Sequence, residues 1–213
     1  KDYFPGPQPI SIEYKHFPIL KGSEYVVCEK TDGERHMMVA TTFEGKPKCV
    51  FVNRAFNMIE VKINLNKKAY EGTILDGELY DNTLMVYDAL LINGIPVGHL
   101  NLYQRLAEAE KLLKFIIYMK YDKHRLQMKT FWTMKEFDHF MYQYLPKVTQ
   151  KVDGLVFTPV YEMMKMGTHE TMFKWKPREK NTVDFQMKRG ESFKGVGLKG
   201  EPVWKLYVQE KGK

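Results

Sequence analysis

Short runs rich in β-branched and aromatic residues, each bounded by Gly, Pro or Asn, recur along most of the chain. They are "EYVVCEK" (24–30), "HMMVATTF" (36–43), "KCVFVNRAF" (48–56), "GTILDGELY" (72–80) and "TLMVYDALLI" (83–92). Further on come "DGLVFTPVYE" (153–162), "ETMFKWKP" (170–177), "TVDFQMKR" (182–189) and the final "PVWKLYVQE". Asp81-Asn82 has the form of a hairpin turn between two of them. A chain so patterned folds as sheets, with helices only where the period changes.

The period changes twice. Leu102, Leu106, Ala109, Leu113 and Ile116 recur at helical spacing, with Asn101 as the expected N-cap. "TMKEFDHFMYQYL" opens with Thr133 and Glu136 at capping-box spacing and puts Phe137, Met141 and Tyr144 on one face, with Pro146 closing it. Both stripes read as core. The opening "KDYFPGPQPISI" is rich in proline and reads as an extended lead-in. "GESFKGVGLKGEP" (190–202) reads as a loop or a domain boundary, and the strand after it needs a partner. The expected division is therefore a main domain over 1–190 and a linker with one further strand over 191–213.

Composition narrows the functions. Apolar residues make up 44% of 213, enough for a real core, and no apolar stretch approaches the ~20 residues of a membrane helix. No signal peptide opens the residues given, which begin at Lys1 as an excised domain would. The two cysteines, Cys28 and Cys49, support neither a disulfide framework nor a four-cysteine zinc site. The six histidines show no paired metal spacing, so a reducing compartment and a chemistry without zinc are expected. An excess of 33 Lys+Arg over 26 Asp+Glu gives +7 and favours polyanionic partners.

Four polar clusters fall at strand ends: "KTDGER" (30–35), "LDGEL" (75–79), "KVDGLVF" (151–157) and "FKWKP" (173–177). Alone, each is an ordinary polar strand end, and Asp32-Gly33 is a common turn dipeptide. Together and in order they describe a site. Alternation along 24–30 puts Val26, Cys28 and Lys30 on one face, so Lys30 emerges at the rim of an apolar side, and burial lowers a lysine's pKa. Lys174 and Lys176 share a face with Trp175 on the other; two ammonium groups there can clamp phosphates and depress the pKa of a third lysine. Glu78 and Asp153 supply hard oxygens for Mg²⁺. A lysine nucleophile, a phosphate clamp and a Mg²⁺ site add up to nucleotidyl transfer: Lys30 attacks the α-phosphorus of a nucleoside triphosphate and expels pyrophosphate, and an acceptor phosphate then takes the nucleotide. Bringing the amine from about 10.4 to about 7.5 needs roughly 4 kcal/mol of differential destabilisation.

The ordered motifs resemble those of the guanylyltransferase of eukaryotic and viral mRNA capping enzymes. These belong to the covalent nucleotidyltransferase superfamily, which also holds ATP-dependent DNA and RNA ligases. The resemblance runs from Phe4 to Phe185. "KTDGER" is similar to the family's nucleophile motif and implies GMP attachment at Lys30, with Glu29 and Arg35 at the nucleotide. "VNRAF" implies that Arg54 contacts the nucleotide, and "LDGEL" that Glu78 serves the ribose and metal region. "LMVYDALLINGIPV" implies that Tyr87 stacks on the base. "KVDGLVFTP" makes Asp153 a metal or catalytic carboxylate and brings Lys151 into the nucleotide-binding set. "FKWKP" implies that Lys174 and Lys176 hold the phosphates, "NTVDF" points to Asp184, and "LQMKTF" to Lys129 as a reader of the guanine carbonyl. The lead-in "FPGPQPIS" and the aspartate at 153 resemble capping enzymes rather than ligases.

The resemblance therefore implies an α+β nucleotidyltransferase fold, with antiparallel sheets flanked by helices and a nucleotide cleft between them. It implies transfer of GMP from GTP, with Mg²⁺ or Mn²⁺, to the 5′-diphosphate end of RNA. It also implies partners: the RNA polymerase II C-terminal domain and a fused or associated triphosphatase and methyltransferase, but no membrane. The expected location is the nucleus for a cellular enzyme, and the host cytoplasm or virion for a viral one. The family continues into an OB-fold lid whose last motif has no match here; "VWKLYVQE" resembles an early strand of that fold, so the lid is expected to lie largely outside these residues. Two rival readings stay open: the adenylation domain of an ATP-dependent ligase, and a non-catalytic module that binds a nucleotide or an RNA end.

Overall fold

Asp81 and Asn82 both take positive φ, 48° and 59°, the backbone of a tight hairpin turn whose twist matches that of the flanking strands. Turns of this kind organise most of the structure, a computed structural model that describes residues 4–180, 186–189 and 204–207. The chain divides into two compact units, Lys1–Lys176 and Pro177–Lys213. The division expected near residue 190 falls inside the second unit, where residues 190–203 lie outside the described ones.

The first unit opens with β1 (Pro7–Ser11) and a short helix α1 (Phe17–Gly22). β2 (Tyr25–Thr31), β3 (Glu34–Phe43), β4 (Lys46–Asn53) and β5 (Met58–Glu60) follow. β6 (Thr73–Tyr80) and β7 (Thr83–Ile92) flank the hairpin turn, and β8 (Ile95–Pro96) returns briefly. Helix α2 (Leu102–Lys114) leads to β9 (Arg125–Met128) and β10 (Trp132–Thr133), and β11 (Val152–Pro159) and β12 (Gly167–Trp175) complete the unit. One sheet has five strands in the order β1-β12-β11-β2-β10. The other has seven, β5-β4-β3-β6-β7-β8 with β9 beside β7. Pairing is antiparallel except at two places, β1 with β12 and β9 with β7. The lead-in, expected only to be extended, is thus an edge strand. In the second unit β13 (Gln186–Arg189) pairs antiparallel with β14 (Trp204–Tyr207), so the final run finds its partner within the chain.

Alternation sorts the side chains of the five-stranded sheet. Tyr25, Val27, Leu155, Phe157 and Phe173 point to one face and form a core with Phe140. The seven-stranded sheet packs its own core, including Met38, Phe51, Leu75, Leu84 and Val86, against Ala109 and Leu112 of α2. The same helix lays Leu102 on Val26 of the five-stranded sheet and on Val160, just past the end of β11, and Leu102 N–H donates to Val160 C=O at 2.9 Å. One helix therefore ties both sheets together.

Asn101 caps α2 as expected, its Oδ1 accepting from Gln104 N–H at 2.9 Å. The buried stripe, however, is Leu102, Arg105, Ala109 and Leu112, with Leu106 and Leu113 only partly covered. Arg105 turns inward because Asp88 is buried opposite it: Nε donates to Oδ1 at 2.7 Å and Nη2 to Oδ2 at 3.1 Å. The second helical stretch also departs from its pattern. The capping box forms, with Thr133 Oγ1 donating to Glu136 Oε2 at 2.7 Å. The segment 134–147 then passes from 3₁₀ through α to a π turn at Phe140–Tyr144. The π turn drives Phe140, fully buried, into the core that Phe137, Met141 and Tyr144 only flank. Pro146 sits at the start of a last 3₁₀ turn, Leu145–Lys147.

Candidate active site

The faces left over from the two cores look at each other. From the five-stranded sheet Cys28, Lys30, Val156, Thr158, Met172 and Lys174 point into a cleft of about 250 Å³. Arg35, Arg54, Glu78, Tyr87 and Asp88 enter it from the seven-stranded sheet and its turns, and Pro7, Gln8 and Pro9 wall it off at one side. Of the residues singled out in the sequence, Glu29, Lys30, Arg35, Arg54, Glu78, Tyr87, Lys129 and Lys174 line this cleft. Asp153 and Lys176 join it through Lys30. Lys151 does not line it, and Asp184 lies outside the described residues.

Lys30 is the last residue but one of β2, and the two-residue bend Asp32-Gly33 returns the chain into β3. Gly33 is required there: a Cβ would stand 2.5 Å from Leu79 C=O and 3.0 Å from Glu78 Cγ. That close approach lets Gly33 N–H donate to the Glu78 carboxylate. The other side of the bend is fixed by the residue just before β11, where Asp32 N–H donates to Lys151 C=O at 2.7 Å and Lys151 Nζ sits 2.6 Å from Asp32 Oδ2. Lys151 thus spends its charge on the turn, at an exposed position.

Asp153 reaches Lys30 because β11 is irregular between Val152 and Gly154 opposite the end of β2. Gly154 takes Lys30 as its register partner, and a Cβ on it would lie 2.0 Å from Trp175 C=O, so only glycine permits this approach. Asp153 then bridges two cations, Oδ1 at 3.1 Å from Lys30 Nζ and Oδ2 at 2.9 Å from Lys176 Nζ. Burial alone would raise this carboxyl; Lys176 and Lys30, by contact and by charge, overcome it and hold it below the ordinary range. The surroundings of Lys30 therefore differ from those expected. Its nearest ionic partner is an anion, Asp153, and Lys176 sits beyond that anion.

The lysine whose pKa is lowered is Lys174, first by burial and then by the charges of Lys176, Lys30 and Arg54. This is the clustering of cations a polyphosphate would neutralise. Trp175, between the two lysines, faces the opposite side of the sheet, in an apolar groove with Leu155 and Phe157. Glu78 looks across the cleft; burial raises its carboxyl above the usual range against the pull of Lys30, the Gly33 N–H and Lys129.

Arg35 and Tyr87 share one partner that sequence reasoning missed. Asp76, fully buried, accepts a two-pronged bond from Arg35, with Nε to Oδ1 at 3.0 Å, and also pairs with the Tyr87 hydroxyl. Burial pushes the Asp76 carboxyl up to about 6 despite Arg35. The signal was in the "LDGEL" motif, because alternation along β6 puts Asp76 and Glu78 on one face with only Gly77 between them. The lead-in covers this network. Phe4 lies 5.4 Å from the Arg35 guanidinium, and Gly6, at φ 101°, packs where a Cβ would meet Arg35 and Asp76. Arg54 stands in the turn after β4, which Asn53 Oδ1 ties by accepting from Ala55 and Asn57 N–H at 3.0 Å each. Its Nη2 donates to Gln8 Oε1 at 3.2 Å.

At the floor of the cleft, Lys129 Nζ bonds Glu29 Oε1 at 2.8 Å and Thr31 Oγ1 at 2.6 Å, all three residues being buried. Glu29 thus acts through Lys129, and among the described residues its Oε2 has no hydrogen-bond partner.

A lysine at the lip of a cleft lined by cations and carboxylates, on strands carrying "KTDGER", "LDGEL", "KVDGLVF" and "FKWKP", has counterparts among known proteins. The profile of the mRNA capping enzyme catalytic domain matches residues 1–178. The chain belongs to the mRNA capping enzyme family. The mRNA-capping enzyme subunit alpha of Schizosaccharomyces pombe is 32% identical over 216 residues, covering 88% of this chain and 54% of the relative. The mRNA-capping enzyme of Danio rerio is 28% identical and covers 96% of this chain but 38% of its own length. The chain spans about half the length, or less, of these capping enzymes. The ATP-dependent DNA ligase of bacteriophage T7, solved in complex with ATP, overlays with a TM-score of 0.55 at 14% identity, covering 95% of this chain and 77% of that one. At that identity the likeness is one of fold: the capping enzyme domain shares the α+β nucleotidyltransferase architecture of the ligases.

The family implies a divalent cation, and the donors fit one. Asp153 offers a hard carboxylate at the Lys30 end of the cleft, its buried Oδ1 ion-paired to Lys30 Nζ at 3.1 Å. Glu78 offers a second carboxylate. Among the described residues no three His, Cys, Asp or Glu converge, so phosphate and water oxygens would complete the shell, as is usual for Mg²⁺.

Proposed function

We propose that this domain is an mRNA guanylyltransferase that transfers GMP from GTP through Lys30 to the 5′-diphosphate end of RNA. One observation carries the reading: Lys30 is held at the lip of the cleft by Asp153, which also binds Lys176, while Arg54 and Lys174 line the same cleft as cations that a triphosphate would neutralise. Lys30 must first give up a proton to solvent and leave Asp153, so that a neutral amine carries the attack. Its Nζ then attacks the α-phosphorus, the Nζ–P bond forms, and the bond to pyrophosphate breaks. In the second half an oxygen of the RNA diphosphate attacks that phosphorus, the P–N bond breaks, and Nζ regains its proton. Lys174, Lys176 and Arg54 orient the phosphates and offset their charge. Arg35 and Tyr87, fixed by Asp76, hold the nucleoside half, and Lys129 donates to the guanine carbonyl from its pairing with Glu29 and Thr31. Glu78 and Asp153 would hold the divalent cation, which supplies further charge neutralisation at the phosphates. Binding to the polymerase II C-terminal domain and association with triphosphatase and methyltransferase activities belong to the same proposal.

The test is covalent labelling. With Mg²⁺ and α-labelled GTP, label should stay on the protein through denaturation and vanish in Lys30→Ala. Label from ATP alone would instead support the ligase reading. A protein that binds GTP yet never labels would support a non-catalytic module.

A further inference from the structure

We propose that the edge formed by residues 115–125 binds single-stranded RNA and guides the acceptor strand away from the cleft; this rests on the reading of RNA as acceptor. After α2 the chain runs without regular structure to β9, and its side chains divide by turns. Ile116 and Tyr118 pack on the core of the seven-stranded sheet, while Phe115 (71% exposed), Ile117 (64%) and Tyr121 (81%) face outward. Lys120, Lys123 and Arg125 are exposed among them. The only acidic residue between 111 and 125, Asp122, is engaged in a turn: its Oδ2 accepts from Met119 N–H at 2.7 Å and its own N–H donates to Met119 C=O at 3.1 Å. The Arg125 guanidinium lies 4.8 Å over the Tyr118 ring, which orients it while leaving the residue exposed.

The edge continues the face that carries Glu78. Across the sheet Glu78 pairs with Met85 and Met85 with Gln127; Tyr80 pairs with Thr83 and Thr83 with Arg125. Register partners share a face, so Gln127 and Arg125 lie on the Glu78 side, about 10 Å away across the two strand spacings. A strand whose 5′ phosphate lies at Lys30 and Glu78 can pass over Gln127 to Arg125, where the exposed segment 115–124 joins β9. Exposed rings interleaved with cations suit a single strand of nucleic acid, because every base has a π-face and every linkage a charge. An acidic protein segment would satisfy the cations but gives no reason for the edge to join the Glu78 face.

The experiment is fluorescence anisotropy of a labelled single-stranded RNA of mixed sequence, about 15 nucleotides long, with the chain and with Phe115→Ala/Tyr121→Ala and Lys120→Glu/Lys123→Glu variants. The ring variant should bind about tenfold more weakly. The charge variant should lower the slope of log K against log salt by about 1.4, or 0.7 for each lost phosphate contact. Lys30 labelling from GTP and the thermal midpoint should be unchanged, since all four side chains are exposed. Unchanged RNA affinity and salt slope in both variants, no RNA binding at low salt, or a loss seen only with an acidic peptide would each overturn the proposal. Absence of Lys30 labelling in the unaltered chain would count against the guanylyltransferase reading and leave the RNA measurement to be judged separately.

Discussion

Lys30 shows how far a residue's chemistry is set by its neighbours. Its place at the end of an apolar alternation is visible in "YVVCEK", but the carboxylate 3.1 Å from it comes from a strand more than a hundred residues later and arrives through an irregularity in β11. Because Lys176 and Lys30 hold Asp153 below the ordinary carboxylate range, its charge stabilises the fold above about pH 4, and that contribution is lost as pH falls through the lowered value. Asp153→Asn should therefore cost about 1–2 kcal/mol at neutral pH, with the gap to the unaltered protein closing in acid. Urea denaturation at several pH values measures this; a gap that stays constant down to pH about 3 would falsify the bridge as a stabilising contact. Asp76 lies on the motif already quoted, yet its role was not legible. Nothing in "LDGEL" says that one aspartate will be sealed under Arg35 and Tyr87 while the glutamate two residues on faces the cleft.

Helix α2 was legible in its ends and its period but not in its orientation. A stripe of Leu102, Leu106, Ala109 and Leu113 sets a face to within one residue, and the structure turns it so that Arg105 points inward. The reason is tertiary: Asp88 on β7 is buried, and Arg105 also donates to Leu100 C=O at 2.6 Å. Arg105→Ala should strand a buried carboxylate and destabilise the domain by about 3–5 kcal/mol. Adding Asp88→Asn to that variant should recover part of the loss. Chemical denaturation of the two variants checks this, and equal stability of Arg105→Ala and the unaltered protein would contradict it. The segment 134–147 makes the same point, since its capping box is local chemistry and forms as read, whereas its π turn answers to the space Phe140 fills.

At the largest scale, the first unit is two sheets joined by α2 around a cationic cleft, so a triphosphate should stabilise it by occupying both walls at once. With Mg²⁺ and GTP at about a hundred times the dissociation constant, the gain should be about 2.7 kcal/mol, read as a rise in thermal midpoint. Arg54→Ala and Lys174→Ala should shrink that rise at fixed GTP; a midpoint insensitive to GTP would count against the cleft as the nucleotide site. Strand runs, helix caps, the hairpin at Asp81-Asn82 and the order of the polar motifs follow from the amino-acid sequence, because they depend on side-chain period, turn chemistry and local hydrogen bonds. Which motif residues meet does not follow from it. Asp153 reaching Lys30, Asp76 holding Arg35 and Tyr87, Lys151 on the turn rather than in the cleft, and the lead-in forming a wall all depend on strand register and burial. Those are properties of chain segments far apart in sequence, brought together only when the sheets close on their cores.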